Sequence, residues 1–221
     1  MNIAIDGPSG AGKSSLAKAI AKRLGIIYVD TGALYRSIGL YMKEHGIDPH
    51  DAEAVTAALP GVELSLAFEG GAQHIYLCGC DVGDSIRTPE MSLYASAVSA
   101  IGTVRAFLLD TQRKVAKESS VVMDGRDIGT VILPDAECKI FLTASPEARA
   151  RRRTAELLEK GLDVKYETVL EEMVLRDRND STRAIAPAVP AEDAVFLDNS
   201  DMDPEETIAA ALAIIEAAKG K

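Results

Sequence analysis

Several residues in this chain have the types and spacing needed to hold and move phosphate. Gly7-Pro8-Ser9-Gly10-Ala11-Gly12-Lys13-Ser14 fits the pattern G-x-x-x-x-G-K-[ST]. In such a loop the backbone N–H groups point inward and cradle phosphates. The lysine reaches the β- and γ-phosphates, and the Ser14 hydroxyl is placed to ligate Mg²⁺. Two further clusters are rich in arginine and acid. One is Asp124-Gly125-Arg126-Asp127-Ile128-Gly129-Thr130. The other is Arg176-Asp177-Arg178-Asn179-Asp180-Ser181-Thr182-Arg183. A planar guanidinium fork binds two phosphate oxygens at once, so these clusters suit anion neutralisation.

A phosphate loop needs a strand before it and a helix after it. Asn2-Ile3-Ala4-Ile5 is an apolar run suited to a buried strand. Leu16, Ala17, Ile20 and Leu24 repeat at helical spacing, and Gly25 supplies a C-cap. Further strands are predicted at Ile26–Asp30, Ser120–Asp124, Lys139–Thr143 and Ala194–Asp198. Helices are predicted over Val104–Glu118, from Ser145-Pro146 to near Gly161, and from Asp203-Pro204 to Ala218. This alternation implies an α/β fold with a parallel sheet covered on both faces, and ligands in such sheets gather at strand carboxyl ends. Four predicted strands end in Asp6, Asp30, Asp124 and Asp198. These either do chemistry or cap neighbouring elements. Val62 to Val82 departs from the pattern. Its apolar residues alternate around Glu69-Gly70-Gly71-Ala72, which predicts an inserted antiparallel hairpin.

The chain has 221 residues, 47% hydrophobic and 26% charged, with a net charge of −10. That balance argues against bulk binding to nucleic acid or an anionic membrane, so positive charge must be concentrated locally. Seven of the 13 arginines (149, 151, 152, 153, 176, 178 and 183) lie in one stretch. No apolar run reaches the ~18 residues of a membrane span. Met1-Asn2-Ile3-Ala4 leads directly into the first strand, which predicts no signal peptide and a cytoplasmic location. Cys78, Cys80 and Cys138 form no CxxC pair and read as ordinary strand residues in a reducing compartment. No exposed heptad demands a partner, so a monomer is expected.

With Asp30-Thr31-Gly32-Ala33-Leu34-Tyr35-Arg36, where a turn at Gly32 is expected, and Ala184-Ile185-Ala186-Pro187 added, the sequence resembles the bacterial cytidylate kinases. These are P-loop nucleoside-monophosphate kinases. The likeness covers Ile5–Ser15, Asp30–Arg36, Ala95–Arg105, Asp124–Ile140 and Arg176–Pro190. It implies a three-layer α/β/α P-loop NTPase fold with a five-stranded parallel sheet, a small antiparallel β insert and a helical lid. It implies one kinase domain over 1–221: core (about 1–33, 92–148, 180–221), monophosphate-binding region with the insert (about 34–91) and lid (about 149–179).

The implied reaction is ATP plus CMP or dCMP giving ADP plus CDP or dCDP, with ATP and Mg²⁺ as cofactors. By resemblance, Gly7, Pro8, Ser9, Gly10, Ala11, Gly12, Lys13, Ser14 and Ser15 hold ATP phosphates, with Arg152 in the lid. Ser14 and Asp124 hold Mg²⁺, Asp124 through water. Thr31, Arg36 and Arg126 meet the acceptor phosphate. Ser96, Arg105 and Asp127 read the cytosine edge. Arg176 and Asp180 contact the sugar, and Arg183 closes on the phosphates. Lys13, Arg126, Arg176 and Arg183 form the catalytic set.

Several of these positions have plainer readings. Arg149 to Arg153 can be a solvated helix face paired with Glu147 and Glu156. Ser96 sits among small residues that packing explains equally well. Thr31 can be a turn residue, and Tyr35 and Tyr41 read as packing residues. Rival acceptors are UMP, AMP, shikimate and gluconate. A GTP-dependent switch would carry NKxD and DxxG strings, and neither occurs.

Overall fold

The computed structural model describes residues 1–220. Along the chain come β1 (Asn2–Asp6), α1 (Lys13–Leu24), β2 (Ile27–Asp30), α2 (Thr31–Glu44), α3 (Ala52–Ala58), β3 (Leu64–Glu69), β4 (Ala72–Leu77), β5 (Cys80–Asp81), α4 (Pro89–Ser99) and α5 (Gly102–Glu118). There follow β6 (Val121–Asp124), β7 (Cys138–Thr143), α6 (Pro146–Glu159), α7 (Tyr166–Thr182), β8 (Val195–Asp198) and α8 (Pro204–Lys219). Five strands form one parallel sheet in the order β2-β6-β1-β7-β8. All five predicted core strands are present, each with its predicted last residue. The three-stranded sheet β3-β4-β5 is antiparallel. The predicted hairpin lacks its third member because β5 has two residues, too few to show a pattern. It follows a Cys78-Gly79 turn with φ of 48° and 81°.

The chain divides into two compact units, Met1–Gly25 with Val122–Lys221, and Ile26–Val121. In the first, Ile3, Ala4 and Ile5 of β1 are fully buried without alternation, as expected of a strand covered on both faces. Leu16, Ala17 and Ile20 of α1 and Ile208, Ala211 and Ile215 of α8 complete this core. The capping chemistry read from the sequence is present. Ser145 accepts from Ala148 N ahead of Pro146, and Asp203 and Glu206 form a reciprocal capping box. Helices α6 and α7 pack through Ala150, Leu157, Val169 and Met173.

In the second unit, Leu34, Ile38 and Met42 of α2 pack with Val55, Ile75, Leu77, Ile86, Val98, Val104 and Leu108. The insert is thereby rooted in the same core as α2. Gly39 lets α2 approach α4, since a Cβ there would lie 2.7 Å from Tyr94 Cβ. The expected turn at Gly32 is absent. Asp30 is the N-cap of α2, its carboxylate accepting from Ala33 N at 2.9 Å, so strand passes directly into helix. Thr31 and Gly32 lie in the first helical turn.

Candidate active site

The phosphate loop lies between β1 and α1. Its shape depends on Gly7, whose φ is 144° and where a Cβ would fall 1.9 Å from the Leu142 carbonyl oxygen. Lys13 crosses the loop and donates Nζ to the Pro8 carbonyl at 2.7 Å. Burial, reinforced by the Arg126 charge, pulls the Lys13 ammonium well below the usual lysine range, while Asp124 and Asp6 pull it the other way. Ser14 donates Oγ to Asp124 Oδ2 at 2.8 Å, bringing the two predicted Mg²⁺ residues together. Among the described residues there is no cluster of three acidic, His or Cys metal ligands. Mg²⁺ characteristically takes one or two carboxylates and completes its shell with waters and substrate phosphates, so this hydroxyl–carboxylate pair fits it.

Next to the loop, Arg126 donates Nε to Asp180 at 3.0 Å, and Arg176 lies 4.0 Å from the same Asp180 oxygen. Arg183 lies 3.9 Å from Asp127 and donates Nε to the Ala186 carbonyl at 2.6 Å. Five predicted residues thus form two arginine–carboxylate groupings, Arg126 and Arg176 around Asp180 and Arg183 beside Asp127. Asp6 accepts from Ile128 N and Gly129 N at 2.8 Å each, which fixes the backbone just after Asp127. Burial raises the Asp6 pKa to about 6, against the pull of those two N–H bonds.

Three residues at this end of the sheet emerge only from the structure. Arg149, grouped by sequence with a solvated face, is instead buried. It donates to Ala144 O at 2.9 Å and to Ser9 O at 2.8 Å, and it pairs with Asp177 at 2.6 Å, not with Glu147. Arg153 does keep its expected solvated pairing with Glu156. Asp177 also accepts from Ser9 N at 3.3 Å, so α6 and α7 together grip one loop residue by both its N–H and its C=O. Asn199, immediately beyond β8, donates to Ala11 O at 3.1 Å, and Arg152 donates to the Asn199 carbonyl at 2.5 Å. The rule that ligands collect past strand carboxyl ends, applied only to the terminal aspartate, stops at Asp198; extended one residue further, it reaches Asn199.

In the unit Ile26–Val121, Arg36 of α2 donates to Asp30 Oδ2 at 2.9 Å. Thr31 is buried at the start of the same helix. Ser96 and Arg105 meet through Ser99: Ser99 Oγ donates to Ser96 O at 2.9 Å, and Arg105 donates to Ser99 O at 3.1 Å. The Arg105 guanidinium stands 5.5 Å from the Tyr35 ring centre, so buried Tyr35 supports an arginine while packing in the core.

A structure from Eubacterium ventriosum, of an uncharacterized protein, superposes with a TM-score of 0.53 at 16% identity, covering 100% of this chain and 99% of that one. One from Chloroflexus aurantiacus gives 0.50 at 13%, covering 99% and 96%. These show the fold. A cytidylate kinase of Caldicellulosiruptor bescii is 49% identical over 94% of this chain and 92% of its own. That of Thermosipho melanesiensis is 48% identical over 97% and 96%. The sequence profile of the family described as cytidylate kinase matches residues 3–217. With close to half the residues shared along nearly the full length of both relatives, the chain belongs to the cytidylate kinase family.

Proposed function

We propose that the protein transfers the γ-phosphoryl group of ATP to CMP or dCMP, giving CDP or dCDP plus ADP. The observation that carries this is the near end-to-end similarity to cytidylate kinases. The geometry of the phosphate loop and the arginine groupings supports it.

A nucleoside monophosphate is an oxyanion near neutral pH, its second pKa being about 6, so no base is needed to make the nucleophile. The difficulty is repulsion. Unit like charges 4 Å apart repel by about 4 kcal/mol at an effective dielectric near 20. In our reading Lys13, with the loop from Gly7 to Ser15, binds the donor phosphates and tracks the transferred charge. Arg152, held by Asn199, meets ATP from α6. Ser14 and Asp124 would hold Mg²⁺, which when bound neutralises phosphate charge. Arg126, Arg176 and Arg183 supply guanidiniums that exchange carboxylate partners for phosphate oxygens and stabilise the transition state. Thr31 and Arg36 bind the acceptor phosphate, and Asp180 with Arg176 meets the sugar. Ser96, Arg105 and Asp127 read cytosine. An alcohol acceptor such as shikimate or gluconate would need a base, and the sequence offered only Asp30 and Asp127. Asp30 caps α2 through Ala33 N, and in this reading Asp127 is taken up by the cytosine edge.

This reading keeps one kinase domain with core, acceptor-binding region and lid. The protein works as a cytoplasmic monomer on small molecules, with neither nucleic acid nor membrane as partner. The net charge of −10 supports the exclusion of those polyanionic surfaces. Among the described residues, no single helix is long and apolar enough to cross a membrane.

Asp127 gives the sharpest test. A carboxylate accepts from the cytosine N4 amino group, whereas uracil presents O4, an acceptor, at that place. Asp127→Ala is expected to lower kcat/KM for CMP by about tenfold or more and to compress the CMP-to-UMP preference, with ATP affinity little changed. Equal losses toward CMP and ATP would contradict the role.

A further inference from the structure

The three-stranded insert meets the end of β2 at Asp30. Gln73 of β4 accepts from Asp30 N through Oε1 at 2.7 Å and donates Nε2 to Asp30 O at 3.3 Å. Its amide therefore stands in for a neighbouring strand where β2 runs into α2. Just beyond the insert, between β5 and α4, Arg87 places Nη1 4.0 Å from Asp30 Oδ2. That oxygen already holds Arg36 Nη2 at 2.9 Å, and the other carboxylate oxygen is committed to Ala33 N. One carboxylate thus gathers two guanidiniums beside the first turn of α2. The grouping keeps a net positive charge, and Arg36 Nε is buried without a hydrogen-bond partner. The Arg87 side chain is 53% exposed and loosely held. A phosphate dianion offers what this grouping lacks, more negative charge and more acceptor oxygens than Asp30 has to give.

We propose that Arg87, on the segment that follows the insert, is a further ligand of the acceptor phosphate, and that Gln73 of the insert is the positioning residue that fixes Asp30 for it. This rests on the CMP kinase reading above, which uses Thr31 and Arg36 but gives the insert no task. Arg36 and Arg87 share Asp30 as a resting partner, and the acceptor phosphate takes over both forks. The insert then contributes to recognising the monophosphate through Gln73 and Asp30, the segment after it contributes Arg87, and the base is read elsewhere.

Calorimetric titration of the wild type, Arg87→Ala and Arg87→Lys with CMP, cytidine and ATP tests this. Arg87→Ala should weaken CMP binding by about tenfold while cytidine and ATP stay within about twofold, and Arg87→Lys should recover part of the loss. Gln73→Ala should weaken CMP to a smaller degree and leave ATP alone. Unchanged CMP affinity in Arg87→Ala would overturn the proposal, as would equal weakening of CMP and cytidine, the mark of a merely structural role. Initial rates on the same preparations separate the two readings. A wild type that binds CMP but transfers nothing to it refutes the reaction and leaves the Arg87 proposal to the titration. One that phosphorylates CMP while Arg87→Ala binds CMP normally refutes the Arg87 proposal alone. A wild type that binds no CMP overturns both.

Discussion

Asp6 ends β1 and ties that strand to the segment after Asp127 through two backbone N–H groups. Its side chain is nearly inaccessible, and burial lifts its pKa to about 6 from an ordinary 3.8. Between about pH 4 and 6 the native state keeps a proton that the unfolded chain has released, so native protons outnumber unfolded ones and stability falls as pH rises. The contribution is present in acid and lost through about pH 6, on the order of 3 kcal/mol in all. Urea unfolding of the wild type and Asp6→Asn from pH 4 to 8 isolates it. The wild type should lose stability relative to the variant as pH rises, then level off. A difference independent of pH would contradict this account of Asp6. The sequence marked Asp6 as a strand-end aspartate but left chemistry and capping open, because its partners lie more than 120 positions away.

The elements were legible where the signal was local. Apolar runs marked the five core strands, and Ser145-Pro146 and Asp203-Pro204 marked two helix starts with their capping bonds. Long-range pairing was not legible. Arg149 sits in a run of arginines that reads as a wet face, and only the return of α7 over α6 buries it against Asp177. Gly32 suggested a turn, yet Asp30 caps α2 directly and no turn is needed. The Arg149–Asp177 pair lends itself to a contrast between elements. Asp177→Ala leaves a buried guanidinium without its carboxylate and should cost on the order of 3 kcal/mol of stability. It also frees Ser9 N, so ATP binding should weaken. Arg153→Ala breaks only the exposed pair with Glu156 and should cost at most about 1 kcal/mol. Chemical denaturation of both variants checks this, and equal losses would contradict the burial argument.

At the scale of the molecule, a chain of net charge −10 has its arginines concentrated, as the proposed binding of anionic nucleotides requires. Arg126, Arg176 and Arg183 each lie near an acidic side chain. Carboxylates hold these guanidiniums in place, and a phosphate with more charge can displace them. The acceptor's name came from the resemblance to cytidylate kinases that the arginine and acid blocks carry, since the phosphate loop alone specifies only a bound triphosphate. The most direct test is a coupled assay of ADP release with CMP, dCMP, UMP, AMP, shikimate and gluconate as acceptors. CMP and dCMP are expected to give the highest kcat/KM. Another acceptor ahead of both by about tenfold would contradict the assignment.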